Sequence, residues 1–143
     1  MDRKTVRSLL DEQLGQIQKS ALQGACAWQI EQEGLVLYIR MRPRGGAGQP
    51  EFLLKASFDD FSRRAPSCVF VDKQLREHQD SAWPPNVRHG AAPPGICTPG
   101  TREFHENYHA NDRQYPWDAE RYPFLQTLME IQRLMERGLG AKK

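Results

Sequence analysis

The chain begins and ends with segments in which apolar residues recur every three or four positions. This spacing is typical of a helix with one apolar face, so it predicts an amphipathic helix over residues about 2–23 and a second one over about 122–138. Gly24 stands where a helix C-cap is expected, and Gly138 and Gly140 close the second pattern. The apolar positions are Val6, Leu9, Leu10, Leu14 and Ile17 in the first helix, and Phe124, Leu125, Leu128, Ile131, Leu134 and Met135 in the second.

Between the helices the period changes to two, which is typical of strands with one buried face. The clearest case is 35–42, where every second position is apolar and would form one apolar face: Leu35, Leu37, Ile39 and Met41. Glu33-Gly34 predicts a tight hairpin turn, and a glycine-rich stretch after the second strand predicts a longer one. We therefore expect an antiparallel four-stranded meander over residues about 25–72 and an α+β fold class. Its predicted strands are 25–32, 35–42, 51–58 and 67–71.

Residues about 73–121 follow neither period and are rich in proline, glycine, histidine and asparagine. A connection of this length inside a compact domain is usually functional or disordered. Aromatic residues are rare in disordered segments, so their presence here predicts a packed loop that carries function. The aromatic residues of the loop are Trp83, Phe104, Tyr108, Tyr115 and Trp117.

Composition and charge exclude several classes of protein. A chain of 143 residues with 38% hydrophobic residues and a net charge of +2 is typical of a single globular domain, here 1–143. So small a charge, without a basic run carrying interleaved aromatics, gives no support for a nucleic-acid partner. We expect a cytoplasmic protein without a membrane partner, because no apolar run approaches about 20 residues and the N-terminus lacks the apolar core of a signal peptide.

Three cysteines, without a CxxC pair, argue against a disulfide framework and against a cysteine-rich zinc module. Cys26 and Cys68 lie in apolar segments, where cysteine usually serves as a small core residue. Cys97 instead lies in PPGICTPG, residues 93–100, among prolines and glycines that predict an exposed, rigid turn. Since a thiolate must reach its reaction partner, Cys97 is a candidate nucleophile. A surface thiol without a role is the alternative.

The sequence HENYH, residues 105–109, matches the HExxH pattern, in which two histidines one helical turn apart bind zinc and the glutamate acts as base. The pattern requires a helix, and the surrounding residues offer few apolar positions to bury one. Hydrogen bonds that hold the loop together are the structural alternative for these histidines. The side chains of a zinc hydrolase would be His105, Glu106 and His109, with Asp112 or Glu120 as a third ligand.

The order of these features, together with three sequence segments, resembles the ubiquitin-conjugating enzymes. The segment EFLLKASFDDFSRRAPSCVFVD, 51–72, is similar to the third strand of that family, the loop after it and the fourth strand. WPPNVRHGAAPPGIC, 83–97, resembles its His-Pro-Asn segment and the Gly-x-Ile-Cys that follows, with Pro84 in place of the histidine and a longer spacer. YPWDAERYPFLQTLMEIQRLM, 115–135, resembles its Trp-x-Pro segment and the next helix. The similarity extends over residues about 3–137.

The resemblance implies a fold and a reaction. The fold is the family's α+β fold, with an N-terminal helix, a four-stranded meander, a long active-site loop and a C-terminal helix. In the reaction, Cys97 accepts a ubiquitin-like protein as a thioester from an activating enzyme and passes it to an amine of a target protein, without a cofactor. Asn86 matches the family's asparagine, which organises the loop and can donate to the oxyanion. A turn residue in a proline-rich loop is the structural alternative for Asn86. The stretch between Cys97 and Trp117 differs from the common eukaryotic members, which points to a bacterial relative from a conjugation operon, with a role in antiviral defence.

The same resemblance adds further site residues. His105 and His109 are candidates for proton transfer from the attacking amine. Asp112 and Asp118 are candidates for orienting or deprotonating that amine, and Asp118 is equally a candidate for capping a helical turn. A catalytically silent member that only binds the ubiquitin-like protein or its activating enzyme is the alternative from another class. The basic residues expected to bind the activating enzyme lie in the first turns of the N-terminal helix and are Arg3, Lys4 and Arg7. A solvated helix face is the alternative explanation for their charge.

Overall fold

The computed structural model describes residues 2–45, 48–90, 94–108 and 116–140, with the side chains of the last helix described up to residue 137. The described residues form an α+β structure with a helix at each end and a four-stranded sheet between them. The elements are α1 (Arg3–Lys19), α2 (Leu22–Ala25), β1 (Gln29–Glu33), β2 (Val36–Met41), β3 (Phe52–Ser57), β4 (Ser67–Val71), β5 (Arg88–His89), β6 (Gly95–Ile96) and α3 (Phe124–Gly140).

The strands β1 to β4 form one antiparallel meander in sequence order, as the alternation predicts. Ile39 lies opposite Leu54, and Leu54 lies opposite Phe70 on the next strand. All three side chains are completely buried. Because successive side chains point to opposite faces of a sheet, Arg40 and Leu53 lie on the other face, which is more exposed. One face of the meander therefore belongs to the core.

The two long helices contribute their apolar stripes to the same core. The Asp2 carboxylate caps α1 by accepting a hydrogen bond from the Thr5 N–H at 2.8 Å. The Gln13 side chain of α1 accepts a hydrogen bond from the Phe124 N–H at 2.9 Å, which connects it to the first turn of α3. The buried apolar residues of the helices are Val6, Leu10 and Ile17 in α1, and Phe124, Leu128, Ile131 and Met135 in α3.

The first strand begins later than the predicted residue 25, and the reason is the short helix α2. Its end is a Schellman motif, in which the Trp28 N–H donates to the Gln23 carbonyl and the Ala27 N–H donates to the Gly24 carbonyl. Ala27 has the left-handed conformation that this motif requires, with φ of 55°. The first helix likewise ends at Lys19, and not near Gly24, because Ser20 caps it. The prediction was wrong at this boundary because Ala27 stands where the motif usually has glycine.

The first hairpin turn is displaced by one residue from the predicted Glu33-Gly34. Glu33 pairs with Val36, so the two turn residues are Gly34 and Leu35. Gly34 has a φ of 62°, which suits the glycine at the first central position of a type II′ turn. The predicted strand pairing is confirmed by the register of this hairpin.

The expected loop at 73–121 contains several short regular elements within its described part. A 3-10 turn, Asp80–Ala82, precedes the small hairpin of β5 and β6, and a π-helical turn, Phe104–Tyr108, follows it. Trp83 and Phe104 are buried, as a packed loop predicts. None of the helices described for this chain is both long enough and apolar enough to cross a membrane. The assignment of the whole chain to one domain stays a prediction.

Candidate active site

Cys97 lies directly after β6, in the centre of a three-residue turn. The Thr98 N–H donates to the Ile96 carbonyl at 3.0 Å, which closes a γ-turn around the cysteine. Ile96 and Thr98 are buried, with exposed fractions of 0% and 4%, whereas Cys97 is exposed. The predicted exposure of Cys97 is therefore confirmed, and so is the burial predicted for Cys26 and Cys68. The turn presents one thiol from a backbone that is fixed on both sides.

The surroundings of the Cys97 thiol disfavour its ionised form. Although the residue is exposed, partial burial raises the pKa of the Cys97 thiol, and no charge from the described residues is found to lower it. Only a small fraction of the thiol is therefore ionised at neutral pH. The thiolate that does form is more nucleophilic than one with a depressed pKa, but it is also a poorer leaving group.

Asn86 lies in a β-turn at the start of the small hairpin. The Val87 N–H lies 3.3 Å from the Pro84 carbonyl oxygen and closes the turn, with Pro85 and Asn86 as its central residues. Asn86 has a φ of 62°, so the turn is of type II, which requires a positive φ at this position and tolerates asparagine there. The structural alternative for Asn86 is thus satisfied, and its side chain is also exposed.

The register of the hairpin brings Asn86 and Cys97 to the same end. Arg88 pairs with Ile96, and His89 pairs with Gly95. Because the two strands are antiparallel, the residues before Arg88 and those after Ile96 lie at one edge of the hairpin.

The segment HENYH begins inside the π-helical turn, and its first histidine is buried. The exposed fraction of His105 is 7%, and its Nε2 atom accepts a hydrogen bond from the Gly100 N–H at 3.0 Å. Its ring lies beside the stacked rings of Trp117 and Tyr122, with centroids 5.6 Å and 4.9 Å away. A nitrogen that accepts this bond carries no proton, so the described contact is structural.

The remaining residues of the HExxH hypothesis are less compatible with zinc, or lie outside the described residues. Glu106 forms a two-pronged ion pair with Arg64, with O–N distances of 2.9 Å and 2.6 Å. The hydrogen bond to Arg64 lowers the pKa of the Glu106 carboxyl, which opposes a role as proton acceptor near neutral pH. Groups of three or more potential metal ligands are not found among the described residues. His109 and Asp112 lie outside them, so the hypothesis itself stays a prediction.

The other predicted site residues occupy exposed positions. The Asp118 carboxylate accepts a hydrogen bond from the Glu120 N–H at 3.0 Å, so it caps a turn just before α3. On α1, Arg7 forms an ion pair with Asp11 at 3.1 Å, and its side chain stays half exposed. The basic residues predicted to bind the activating enzyme all lie on the exposed surface of α1: Arg3, Lys4 and Arg7. Their roles stay predictions.

Sequence reasoning missed two residues that contact the hairpin directly. The Tyr108 hydroxyl donates to the His89 carbonyl at 3.0 Å. Burial raises the pKa of Tyr108, and the charge of the nearby Glu103 raises it further. Glu103 is 8% exposed and accepts hydrogen bonds from β4. The glycine at position 95 was the available signal, because a residue without a side chain often marks close approach by a neighbour.

Neither protein-family models nor curated proteins match the sequence. The assignment of function therefore rests on the residues, on their arrangement and on the family resemblance.

Proposed function

We propose that this chain is a ubiquitin-conjugating-like enzyme. It accepts the C-terminus of a ubiquitin-like protein on Cys97 as a thioester and transfers it to an amine of a target protein. The observation that carries the proposal is the arrangement at one end of the small hairpin: an exposed thiol on a fixed γ-turn, with an exposed asparagine amide in the facing turn.

Each chemical step has a group that suits it. The Cys97 sulfur attacks the thioester carbonyl held by the activating enzyme, a new sulfur–carbon bond forms, and the sulfur of the activating enzyme leaves as a thiolate that takes up the proton lost by the Cys97 thiol. An amine of the target then attacks the same carbonyl carbon, a carbon–nitrogen bond forms, and the departing Cys97 thiolate takes up the proton that the amine loses. The negative charge that develops on the carbonyl oxygen in both steps is stabilised by an amide donor, and Asn86 supplies one without acting as an acid.

The raised pKa of Cys97 is compatible with thioester exchange. Hydrolytic cysteine enzymes keep a low-pKa thiolate beside a histidine cation. The described contact of His105 Nε2 is with the Gly100 N–H. A thiol that is mostly protonated resists oxidation and stray acylation, and it reacts when a bound thioester partner is held against it.

The architecture supports the same proposal. The order of elements, from the N-terminal helix through the meander and the cysteine-bearing hairpin to the C-terminal helix, is the order expected for the ubiquitin-conjugating fold. We propose that fold for the chain, and the exposed basic residues of α1 are the proposed contact for the activating enzyme. The reaction is expected in the cytoplasm of a bacterium, in antiviral defence.

One observation favours a second candidate, a silent binding module of the same fold. The raised pKa of Cys97 means that the free protein contains little thiolate, and a module that only binds a ubiquitin-like protein needs none. This candidate and the enzyme differ in a single measurable respect, which is the formation of a covalent bond to Cys97.

The test is a charging assay with ATP, the activating enzyme and the ubiquitin-like protein of the same operon, analysed on gels with and without reductant. The enzyme predicts an adduct that reductant removes and that is missing in Cys97→Ala. Cys97→Ser is the matched variant, and it predicts an oxygen ester that survives reductant. Binding without an adduct would favour the silent module, and one equivalent of tightly bound zinc without an adduct would favour the hydrolase.

A further inference from the structure

The turn that carries Cys97 is held from its C-terminal side by His105. The Gly100 N–H, three residues beyond the cysteine, donates to the His105 Nε2 atom at 3.0 Å. The ring of His105 is itself fixed by aromatic neighbours, including Tyr122 at 4.9 Å and Phe104 at 5.0 Å between centroids. A buried acceptor on a fixed ring determines where the Gly100 backbone can lie.

The same turn is held from its N-terminal side by Tyr108. The Tyr108 hydroxyl donates to the His89 carbonyl at 3.0 Å, and the two rings contact edge to face with centroids 4.3 Å apart. His89 pairs with Gly95, two residues before Cys97. A methyl group added at Gly95 would lie 2.5 Å from the Tyr108 hydroxyl oxygen, so the phenol lies directly against this backbone.

These two residues act from a segment that is itself anchored to the sheet. The Glu103 carboxylate accepts hydrogen bonds from the Cys68 N–H at 3.0 Å and the Ser67 hydroxyl at 2.7 Å, at the edge of β4. The Arg102 N–H donates to the Pro66 carbonyl at 2.9 Å. Residues 102–108 therefore connect the strand β4 to both sides of the cysteine turn.

From this arrangement we infer that the segment 102–108 is a clamp that positions the Cys97 thiol for acyl transfer. His105 and Tyr108 are its positioning residues, since they contact the backbone on either side of Cys97. The inferred role in acyl transfer rests on the proposed function, whereas the fixing of the thiol does not. Within the HENYH segment, the described contacts of His105 and Tyr108 are thus to backbone groups, of Gly100 and His89 respectively.

The clamp is tested with variants that change one contact each. Tyr108→Phe removes only the hydroxyl. His105→Leu removes the acceptor for the Gly100 N–H, and His105→Gln is the matched control because its amide oxygen can replace Nε2. The first measurement is the rate at which iodoacetamide alkylates each cysteine of the folded protein, followed by mass spectrometry of peptides. The second is acyl transfer to Cys97 from a small-thiol thioester of a peptide that ends in Gly-Gly.

Loss of either contact is expected to uncover the partly buried sulfur of the otherwise exposed Cys97, so that it alkylates about five- to tenfold faster in Tyr108→Phe and His105→Leu, while the buried Cys26 and Cys68 stay protected. Acyl transfer is expected to slow about tenfold in the same variants, because misplacement by less than 1 Å suffices. His105→Gln should stay near the wild type in both measurements.

Two outcomes would overturn the clamp. One is unchanged alkylation of Cys97 in both variants. The other is equal acceleration at all three cysteines, which would indicate general destabilisation. If the wild type accepts no acyl group but Cys97 alkylation still changes selectively, the clamp stands as a fixing device for the thiol and the proposed function is contradicted.

Discussion

Replacing Glu136 by glutamine should destabilise the protein at neutral pH and remove part of its sensitivity to acid. Glu136 of α3 accepts hydrogen bonds from the Arg44 backbone N–H and the Arg44 Nε, both at 2.8 Å, and its second oxygen lies 3.0 Å from Nη2 of the same guanidinium. The Gln132 side chain donates to it as well, at 3.0 Å. Hydrogen bonds from Arg44 are the largest cause that lowers the pKa of Glu136, from 4.5 to about 2.

The magnitude follows from linkage between ionisation and folding. A pKa that falls from 4.5 to about 2 corresponds to at most about 3 kcal/mol of stability in the ionised state. Because the Glu136 side chain is 23% exposed, solvent screening reduces this value, and we expect about 1 to 2 kcal/mol. The pKa in the folded state is the lower one, so this contribution is complete above about pH 4.5 and is lost as the pH falls towards 2.

The assay is urea unfolding of the wild type and Glu136→Gln at pH 7 and at pH 3, followed by circular dichroism. The difference in the free energy of unfolding between the two proteins should be about 1 to 2 kcal/mol at pH 7 and should shrink at pH 3. Glu51→Gln is the control, since Glu51 forms an exposed ion pair with Arg42 at 2.9 Å and should change stability by less than about 0.5 kcal/mol. A difference that is the same at both pH values would refute the reasoning.

Three further substitutions test other parts of the structure. Gly100→Ala should lower the free energy of unfolding in urea by at least about 2 kcal/mol, because φ of Gly100 is 100° and the added carbon would lie 1.9 Å from the Thr127 hydroxyl oxygen. An unchanged free energy of unfolding would contradict that packing. Ala27→Gly should instead increase the free energy of unfolding by about 0.5 to 1 kcal/mol and so raise the thermal midpoint, because Ala27 occupies the left-handed position of the Schellman motif. Asn86→Gly preserves the positive φ of the turn, and Asn86→Asp preserves the shape of the side chain, but both variants lack the amide donor. Both should therefore keep the thermal midpoint of the wild type and lower the rate of transfer from Cys97 at least tenfold. Wild-type transfer in Asn86→Gly would mean that Asn86 serves the turn alone.

The fold could be predicted where the pattern is local and periodic. Ser67–Val71 was predicted at its observed bounds, because an apolar run with a preceding proline determines both its conformation and its start. The end of α1 and the start of β1 were less predictable. A Schellman motif with Ala27, and not glycine, in the left-handed position leaves no compositional signal.

The site was predictable only in part, for a related reason. Cys97 is signalled by its flanking prolines and glycines, which are adjacent in sequence. Glu103 contacts Ser67, 36 residues away, and Tyr108 contacts His89, 19 residues away. Such contacts depend on how the hairpin packs against β4, and hydrophobic periodicity carries no information about that packing. For the same reason, the sequence could not show that His105 of the HENYH segment accepts a hydrogen bond from the Gly100 N–H.

The central claim is that Cys97 carries an acyl group, and the mass of the charged protein measures this most directly. The purified chain is incubated with a small-thiol thioester of the proposed ubiquitin-like partner, and the intact mass is recorded before and after hydroxylamine. We predict one ubiquitin-like protein per chain, attached through Cys97, removed by hydroxylamine, and missing in Cys97→Ala. A chain that keeps its uncharged mass with this donor, and also in the complete ATP-dependent reaction, would contradict the account.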